Sequence, residues 1–310
     1  MTIRFKERVL LAGVEAIYGT DPGLTAAANA ILAQNIAITP MDGTDLSREL
    51  ELATLGAQAT LPVELSAQLT FEVELAPSGT AGAPPAWGPL LRGCGIAQTV
   101  AAAVSVTYNP VTQGHESLTL KLWIGSTLYA LSGARGTVTM ALDAQTNPKL
   151  RFEFRGLFTL PVEQAPPVPT LTNFQAPDPV TSARTPLFTI GGQALVMRAF
   201  SLALGNTVEG RFLVGAEQVI VTERAELVET RVEALPLTTW DPFQIARDQT
   251  RVAVALRHGT QAGRIAQIDV PSAQVQRPQG LENQQGIKEW PLRLVPLPVA
   301  GDDQWTLTLT

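Results

Sequence analysis

Few residues in this chain have the types and spacing that enzyme chemistry requires. The 310 residues include two histidines, His115 and His258, and one cysteine, Cys94. Neither histidine lies in a His-x-x-x-His pair or in a nucleophile motif, and no Cys-x-x-Cys spacing for zinc is present. We therefore predict ordinary loop or strand-end roles for both histidines, no metal and no cofactor.

Cys94 and two carboxylates are the remaining candidates for catalysis. Cys94 falls on the inner side of a predicted helix, so we interpret it as a small buried apolar residue and not as a nucleophile. Glu72 and Glu74 alternate along a strand, and such a pair can serve a glycosidase, but here they share the polar face of an amphipathic strand. A solvated or intersubunit face is the better interpretation. We predict that the chain is not an enzyme.

Aromatic side chains leave open a carbohydrate-binding β-sandwich as a less favoured class, because tryptophan rings stack on sugars. Three of the five tryptophans fall at repeat-related or alternating core positions, which favours packing roles. The five are Trp87, Trp123, Trp240, Trp290 and Trp305.

Composition indicates a folded, β-rich chain. Hydrophobic residues make up 45% and charged residues 16%, whereas a disordered chain has the opposite balance. The 25 glycines and 23 prolines suit many turns between short strands. The net charge of −6 argues against a protein that grips nucleic acid phosphates. A single cysteine and a charged N-terminus predict assembly in a reducing cytoplasm, with no signal peptide and no membrane anchor.

The first half of the sequence alternates between strand and turn signals. Residues 67–75 are apolar at every second position, which predicts a strand with one buried face. Proline before and glycine after residues 86–94 predict a two-turn helix whose inner side carries Trp87, Leu90, Leu91 and Cys94. We also predict a short helix at 25–32 and strands at 104–108, 117–124, 126–131, 135–142 and 149–158.

Residues 36–62, which we call the arm, lack a core-forming pattern. We predict a long exposed arm or loop that becomes ordered on a partner, because unsupported loops of this length are uncommon in compact domains. Its charged residues are the candidates for a contact between stacked rings: Asp42, Asp45, Arg48, Glu49 and Glu51.

The second half repeats the pattern of the first. In both halves a strand leads into a Trp-x-Pro helix, at residues 71–92 and 230–245, and each half ends on an alternating strand. In the second helix Trp240 and Phe243 are the predicted packing residues. We predict two similar domains, at 1–165 and 187–310, joined by a proline-rich linker or strap at 166–186.

Five motifs in a fixed order then suggest a family. GVEAIYGTDP at 13–22, FEVEL at 71–75 with APPAWGPLLRGCG at 83–95, YNPV at 108–111, LSGARG at 131–136 and FRGL at 154–157 resemble the tail tube proteins of long-tailed, non-contractile phages. The resemblance covers residues 1 to about 165, and beyond Pro166 it rests on the internal repeat.

This resemblance implies β-sandwich or half-barrel domains, each with a short flanking helix, whose sheets join neighbouring copies into rings. Such rings stack into a tube that conducts DNA into the host. With two domains a chain, a trimeric ring with pseudo-sixfold symmetry is favoured, and a hexamer is the alternative. The implied partners are a tape measure protein in the lumen and terminator and distal tail proteins at the ends. An acidic lumen would let DNA pass without specific binding.

Two other functions stay open. One is a distal-tail or baseplate-hub protein that uses two tube-like domains in a single ring without stacking. The other is the carbohydrate-binding module. Assembly in the bacterial cytoplasm and a final location in the virion tail follow from the tube interpretation.

Overall fold

The structure is a computed structural model that describes residues 4–310, and its regular secondary structure is almost entirely β-strand. Strand accounts for 51% and helix for 4%, which confirms the predicted mainly β fold. The strands of the N-terminal half are β1 (Arg8–Val14), β2 (Ala30–Ile31), β3 (Gln34–Ser47), β4 (Thr60–Glu74), β5 (Ile96–Ala101), β6 (Ser105–Pro110), β7 (Leu118–Ile124), β8 (Thr127–Asp143), β9 (Lys149–Phe158) and β10 (Val162–Glu163).

The C-terminal half continues in the same style. Its strands are β11 (Leu187–Ile190), β12 (Gln193–Ala194), β13 (Met197–Ala203), β14 (Asn206–Leu213), β15 (Ala216–Arg224), β16 (Leu227–Glu233), β17 (Arg251–His258), β18 (Ala266–Val275), β19 (Glu282–Gln284), β20 (Ile287–Pro296) and β21 (Thr306–Leu309). The two helices of the described residues are α1 (Gly88–Arg92), which follows β4, and α2 (Pro242–Arg247), which follows β16.

The two halves pair their strands in the same order. In the N-terminal half the antiparallel order is β2-β1-β7-β8-β9-β4-β3. In the C-terminal half it is β12-β11-β17-β18-β20-β16-β13. The strand-then-helix units predicted from sequence, β4-α1 and β16-α2, occupy equivalent places in the two orders.

Backbone pairing joins the two halves directly. Five residues of β13, from Ala199 to Ala203, pair with Asp143 to Thr139 of β8. The C-terminal strand β21 pairs with β18 of its own half and with β6 of the other half. As a result, 19 strands form one connected sheet, and only β14 and β15 of the described strands stand apart as a separate hairpin.

Alternation along the strands places one face of most strands in the main hydrophobic core, which includes residues of both halves. Phe71 of β4 stacks near Phe152 and Phe154 of β9, with ring centroids 5.6 and 5.9 Å away. In the second half, Trp290 is fully buried and packs on Trp240 at 5.6 Å. Each such side chain removed from water contributes roughly 1.5–3 kcal/mol, so these rows are the main stabilising layers.

Two predicted helices differ from the structure. Residues 25–32 do not form a helix: after turns, Ala30 and Ile31 pair with Leu11 and Leu10 of β1. Sheet pairing therefore overrides the helix propensity of the alanines. Helix α1 is also shorter than the predicted 86–94.

The predicted strands at 126–131 and 135–142 are one continuous strand. The 17-residue β8 passes through Gly133, which has a φ of +59°, and its register with β9 shifts between Ser132 and Arg135. Gly133, which lies in the gap between the two predicted strands, thus supports an irregularity inside one strand, where glycine adopts positive φ without strain.

The proline-rich segment runs across the surface as an extended strap. Gln145 and Thr146 exchange backbone hydrogen bonds with Val180, at 2.8 and 2.9 Å. Val180 is buried, and Thr170 donates its N–H to the Ala26 carbonyl at 3.0 Å. These contacts hold the segment against the N-terminal half.

Candidate assembly surfaces

The arm belongs to the β3–β4 hairpin, and the outer part of this hairpin extends beyond the body of the sheet. From residue 66 onward, β4 pairs with β9, whereas its preceding residues 60–65 pair only with β3 among the described residues. The last pair of the hairpin is Ser47 with Thr60. The sequence predicted exposure here but not strands, because the arm has no buried face to impose an alternating pattern.

Apolar side chains on the arm are exposed to an unusual degree. Leu55 is fully exposed and Leu52 is 59% exposed, and both lie in the tip of the arm, residues 48–59. Further exposed apolar residues of the arm are Met41, Leu46, Leu50 and Leu61. A concentration of exposed apolar residues on one projection is typical of a surface that another molecule covers.

Of the five charged candidates on the arm, Asp42 is partly buried and the other four are exposed. Asp42 is at the base, where it accepts a hydrogen bond from Gln68 at 2.8 Å and lies 3.8 Å from Arg155. Asp45 lies further along β3, and Arg48, Glu49 and Glu51 are in the tip. Glu49 has a φ of +46°, a left-handed conformation that is uncommon for this residue type. Their role in stacking stays a prediction.

The predicted helix residues occupy different environments. Trp87, Leu90 and Leu91 are buried, and the Trp87 indole donates to the Ala76 carbonyl at 2.8 Å. In the second half Trp240 is buried, but Phe243 is 40% exposed and meets Trp290 edge-on at 6.4 Å. Asp241 caps α2 by accepting the N–H groups of Phe243 and Gln244.

The polar face of the sheet, opposite the core, carries charges of both signs in pairs. Glu72 accepts from Lys149 at 2.8 Å and lies 3.2 Å from Arg151, and the hydrogen bond from Lys149 lowers the pKa of Glu72. Glu229 and Arg293 form a similar pair at 3.1 Å. The Glu72 and Glu74 pair considered for glycoside hydrolysis is thus part of a cross-strand network, with Glu74 accepting from Gln34 at 3.1 Å.

A shallow groove of about 360 Å³ lies on this face where β13, β16 and β20 meet. Its charged lining residues include Asp143, Glu229, Arg231, Arg277 and Arg293. Both signs are present, so the groove offers no one-sided field for an anionic or cationic ligand.

The hairpin β14–β15 fastens the C-terminal half to the N-terminal half. Val219 at its centre is fully buried, its N–H donates to the Tyr18 hydroxyl at 2.6 Å, and its carbonyl accepts from Arg135 at 2.7 Å. Asn206 donates to the carbonyls of Cys94 and Gly136 at 2.8 and 2.9 Å. The Val219–Tyr18 contact links residues about 200 positions apart, so local sequence patterns give no signal for it.

Glu15 stabilises the turn that carries Tyr18 in the same junction. Its buried carboxylate accepts from the N–H groups of Gly19 and Gly133, both at 2.7 Å, and from the hydroxyls of Ser117 and Thr119 at 2.6 and 2.8 Å. Four donors saturate the carboxylate and fix the turn that carries Tyr18. The sequence carries no local signal for this role of Glu15, because three of its four donors lie more than 100 residues away in the chain.

The cysteine, the histidines and the tryptophans that were considered for chemistry or sugar binding are buried or hydrogen-bonded in the structure. Burial raises the pKa of the Cys94 thiol, which leaves it protonated and unreactive. His258 is buried: its Nδ1 pairs with the Thr185 hydroxyl and its Nε2 with the Asp178 carbonyl, and burial lowers its pKa. His115 pairs with the Val111 carbonyl at 2.9 Å. All five tryptophan rings are buried, so none is available to stack on a sugar.

Two features are absent from residues 4–310. No group of three or more acidic, histidine or cysteine side chains is arranged to hold a metal ion. No helix in this range is long and apolar enough to cross a membrane.

The fold and the surfaces together define a class of protein. A β-rich chain with an exposed edge strand and an exposed apolar arm fits structural proteins that act by assembly. The family model described as phage tail tube protein matches residues 6–299, and the chain belongs to that family. It is therefore a structural protein of the bacteriophage virion tail. No curated protein matches the chain.

Proposed function

We propose that this protein assembles into closed rings, that the rings stack into the tail tube, and that the tube conducts DNA during delivery. The observation that carries the proposal is that β3 ends the sheet order of residues 4–310 as an edge strand and extends into the exposed apolar arm. An exposed edge invites pairing with another chain, and a head-to-tail contact closes into a ring when the rotation permits.

Two tube-like domains per chain, at 1–165 and 187–310 with a strap at 166–186, are part of the proposal. The shared pairing order of the two halves supports it, as does the β13–β8 contact between them. Three chains would then supply six similar domains, which gives a trimeric ring with pseudo-sixfold symmetry. A hexamer of chains is the alternative.

The arm makes the contact between rings in this proposal. Its tip carries exposed leucines beside Arg48, Glu49 and Glu51, while Asp42 and Asp45 lie nearer the body. Apolar side chains would supply the affinity of the contact, and the charged residues would select its orientation.

The polar face of the sheet is our proposed lumen surface. The sequence indicates an acidic lumen, whereas this face carries both positive and negative side chains. Its cations pair with carboxylates such as Glu72 and Glu229. Paired cations release few counterions from DNA, so the phosphate backbone would pass without being gripped. A tape measure protein would fill the lumen before DNA, and terminator and distal tail proteins would bind the ends. Assembly takes place in the host cytoplasm, and the chain acts without enzymatic activity.

The mass of the smallest closed assembly tests the ring. We expect light scattering on the purified protein at low concentration to give three times the 33.0 kDa mass of the chain. Six times that mass would favour the hexamer. A protein that remains a monomer at every concentration would contradict ring formation, and monomers that bind glycans would support the carbohydrate-binding alternative.

A further inference from the structure

We propose that the junction between neighbouring copies in the ring reproduces the junction inside the chain, with β3 of one copy pairing with β19 of the next. This inference rests on the proposed ring and adds to it the two strands, their register and the residues in contact. It follows from comparing equivalent strands of the two halves.

Inside the chain, the edge of the C-terminal half is already paired. The strand that ends the C-terminal order, β13, does not end the sheet, because it pairs with β8 through five residues. Its core-facing residue Leu202 lies opposite Met140, and both are fully buried. The strand in the same place in the N-terminal order is β3, which pairs only with β4 within residues 4–310. The N-terminal half thus has an unpaired edge at β3, whereas the equivalent edge of the C-terminal half, at β13, already pairs with β8.

The strand that would receive β3 of the neighbouring copy is β19. The part of β8 that receives β13 runs beside the start of β9, where Leu150 lies opposite Met140. In the C-terminal half the start of β20 has β19 beside it, with Glu282 opposite Glu289. One residue earlier, Leu281 therefore lies opposite Trp290. The outer edge of β19 pairs with no other strand of the described residues, and Leu281 is 62% exposed.

The equivalence of the two halves also gives the register of the β3–β19 pairing. Ile38 pairs with Leu69 next to Phe154, as Leu202 pairs with Val228 next to Leu294. The equivalence therefore places Ile38 of one copy opposite Leu281 of the next, and Ala37 opposite Glu282. Ile38 is only partly buried in the single chain. The pairing would cover both apolar side chains, as Leu202 and Met140 cover each other.

The geometry favours a second copy over other occupants. The free part of the β3 edge begins at Ala37, since the Arg8 guanidinium already donates to the Ile36 carbonyl. The two edges that would pair, β3 and β19, lie on different halves of the same chain, so the contact is head-to-tail and can close a ring. Every junction around the ring would then have equivalent strand pairing, whether it lies inside a chain or between two chains.

Disulfide trapping tests the register. In the variant Ala37→Cys with Glu282→Cys, mild oxidation of assembled protein is expected to give covalent dimers and then a closed trimer on non-reducing gels. The native Cys94 is buried and stays reduced. The matched control is Ser201→Cys with Ala141→Cys, the equivalent pair inside the chain, which should close a disulfide without changing the mass.

The outcomes separate this inference from the ring itself. If light scattering shows rings and the control pair oxidises, but the 37–282 pair stays monomeric on gels, the register and the junction proposed here are wrong. If the unmodified protein forms no rings, the proposed function fails first and this inference fails with it. Cross-linking by a single-cysteine variant would show a symmetric contact between identical edges and would also overturn it.

Discussion

A variant in which Asn-Gly replaces the arm tip, residues 48–59, is expected to form rings of normal mass and no tubes. Ser47 and Thr60 are the last residue pair of the hairpin, so a two-residue turn joins them without disturbing the ladder. The change removes exposed Leu50, Leu52 and Leu55 together with the charged candidates of the tip. Electron microscopy should show isolated rings where the unmodified protein gives tubes.

A matched pair of single substitutions isolates the apolar contribution. Leu55→Ser changes a fully exposed residue in the arm tip, and Val214→Ser changes a fully exposed residue in the β14–β15 turn. We expect shorter and fewer tubes from Leu55→Ser and unchanged tubes from Val214→Ser. Tubes of normal length from the tip-deleted variant would show that the arm does not connect the rings.

The second large effect is expected for Glu15→Ala, which should lower the free energy of unfolding by about 3 kcal/mol or more, because each buried donor left unpaired costs about 1–3 kcal/mol. Four donors lose their acceptor at once: the N–H groups of Gly19 and Gly133 and the hydroxyls of Ser117 and Thr119. Chemical denaturation followed by tryptophan fluorescence would measure the change, since all five rings are buried.

Glu163→Ala is the control for this substitution. Glu163 also accepts from two hydroxyls, those of Ser126 at 2.7 Å and Thr127 at 3.0 Å, but it is exposed, so water replaces the lost acceptor. We expect little change in its denaturation midpoint. Equal midpoints for the two variants would contradict the role of Glu15 as the buried anchor of the Tyr18 turn.

Strands that have one buried face could be predicted from the sequence. The predicted strand at 149–158 matches β9, because Leu150, Phe152 and Phe154 alternate with charged residues. The strand-helix repeat was also visible, because the Trp-x-Pro motif combines a core side chain with a helix start signal. These signals are local, so they survive without knowledge of the tertiary structure.

A mostly exposed strand and the contacts between distant segments could not be predicted from the sequence. Strand β5 has no alternating pattern, because only its first residue, Ile96, is buried. The Val219 contact with Tyr18 and Arg135 depends on a hairpin folding back across about 200 residues. The β13–β8 pairing, which serves as the template for the proposed subunit junction, likewise has no motif of its own.

Microscopy of the purified protein alone tests most directly whether this chain builds a tube from stacked rings. We predict long tubes whose end-on averages show six similar lobes with threefold symmetry. Isolated rings that never stack would favour the distal-tail or hub alternative. Only monomers, at concentrations where light scattering shows no association, would contradict the account.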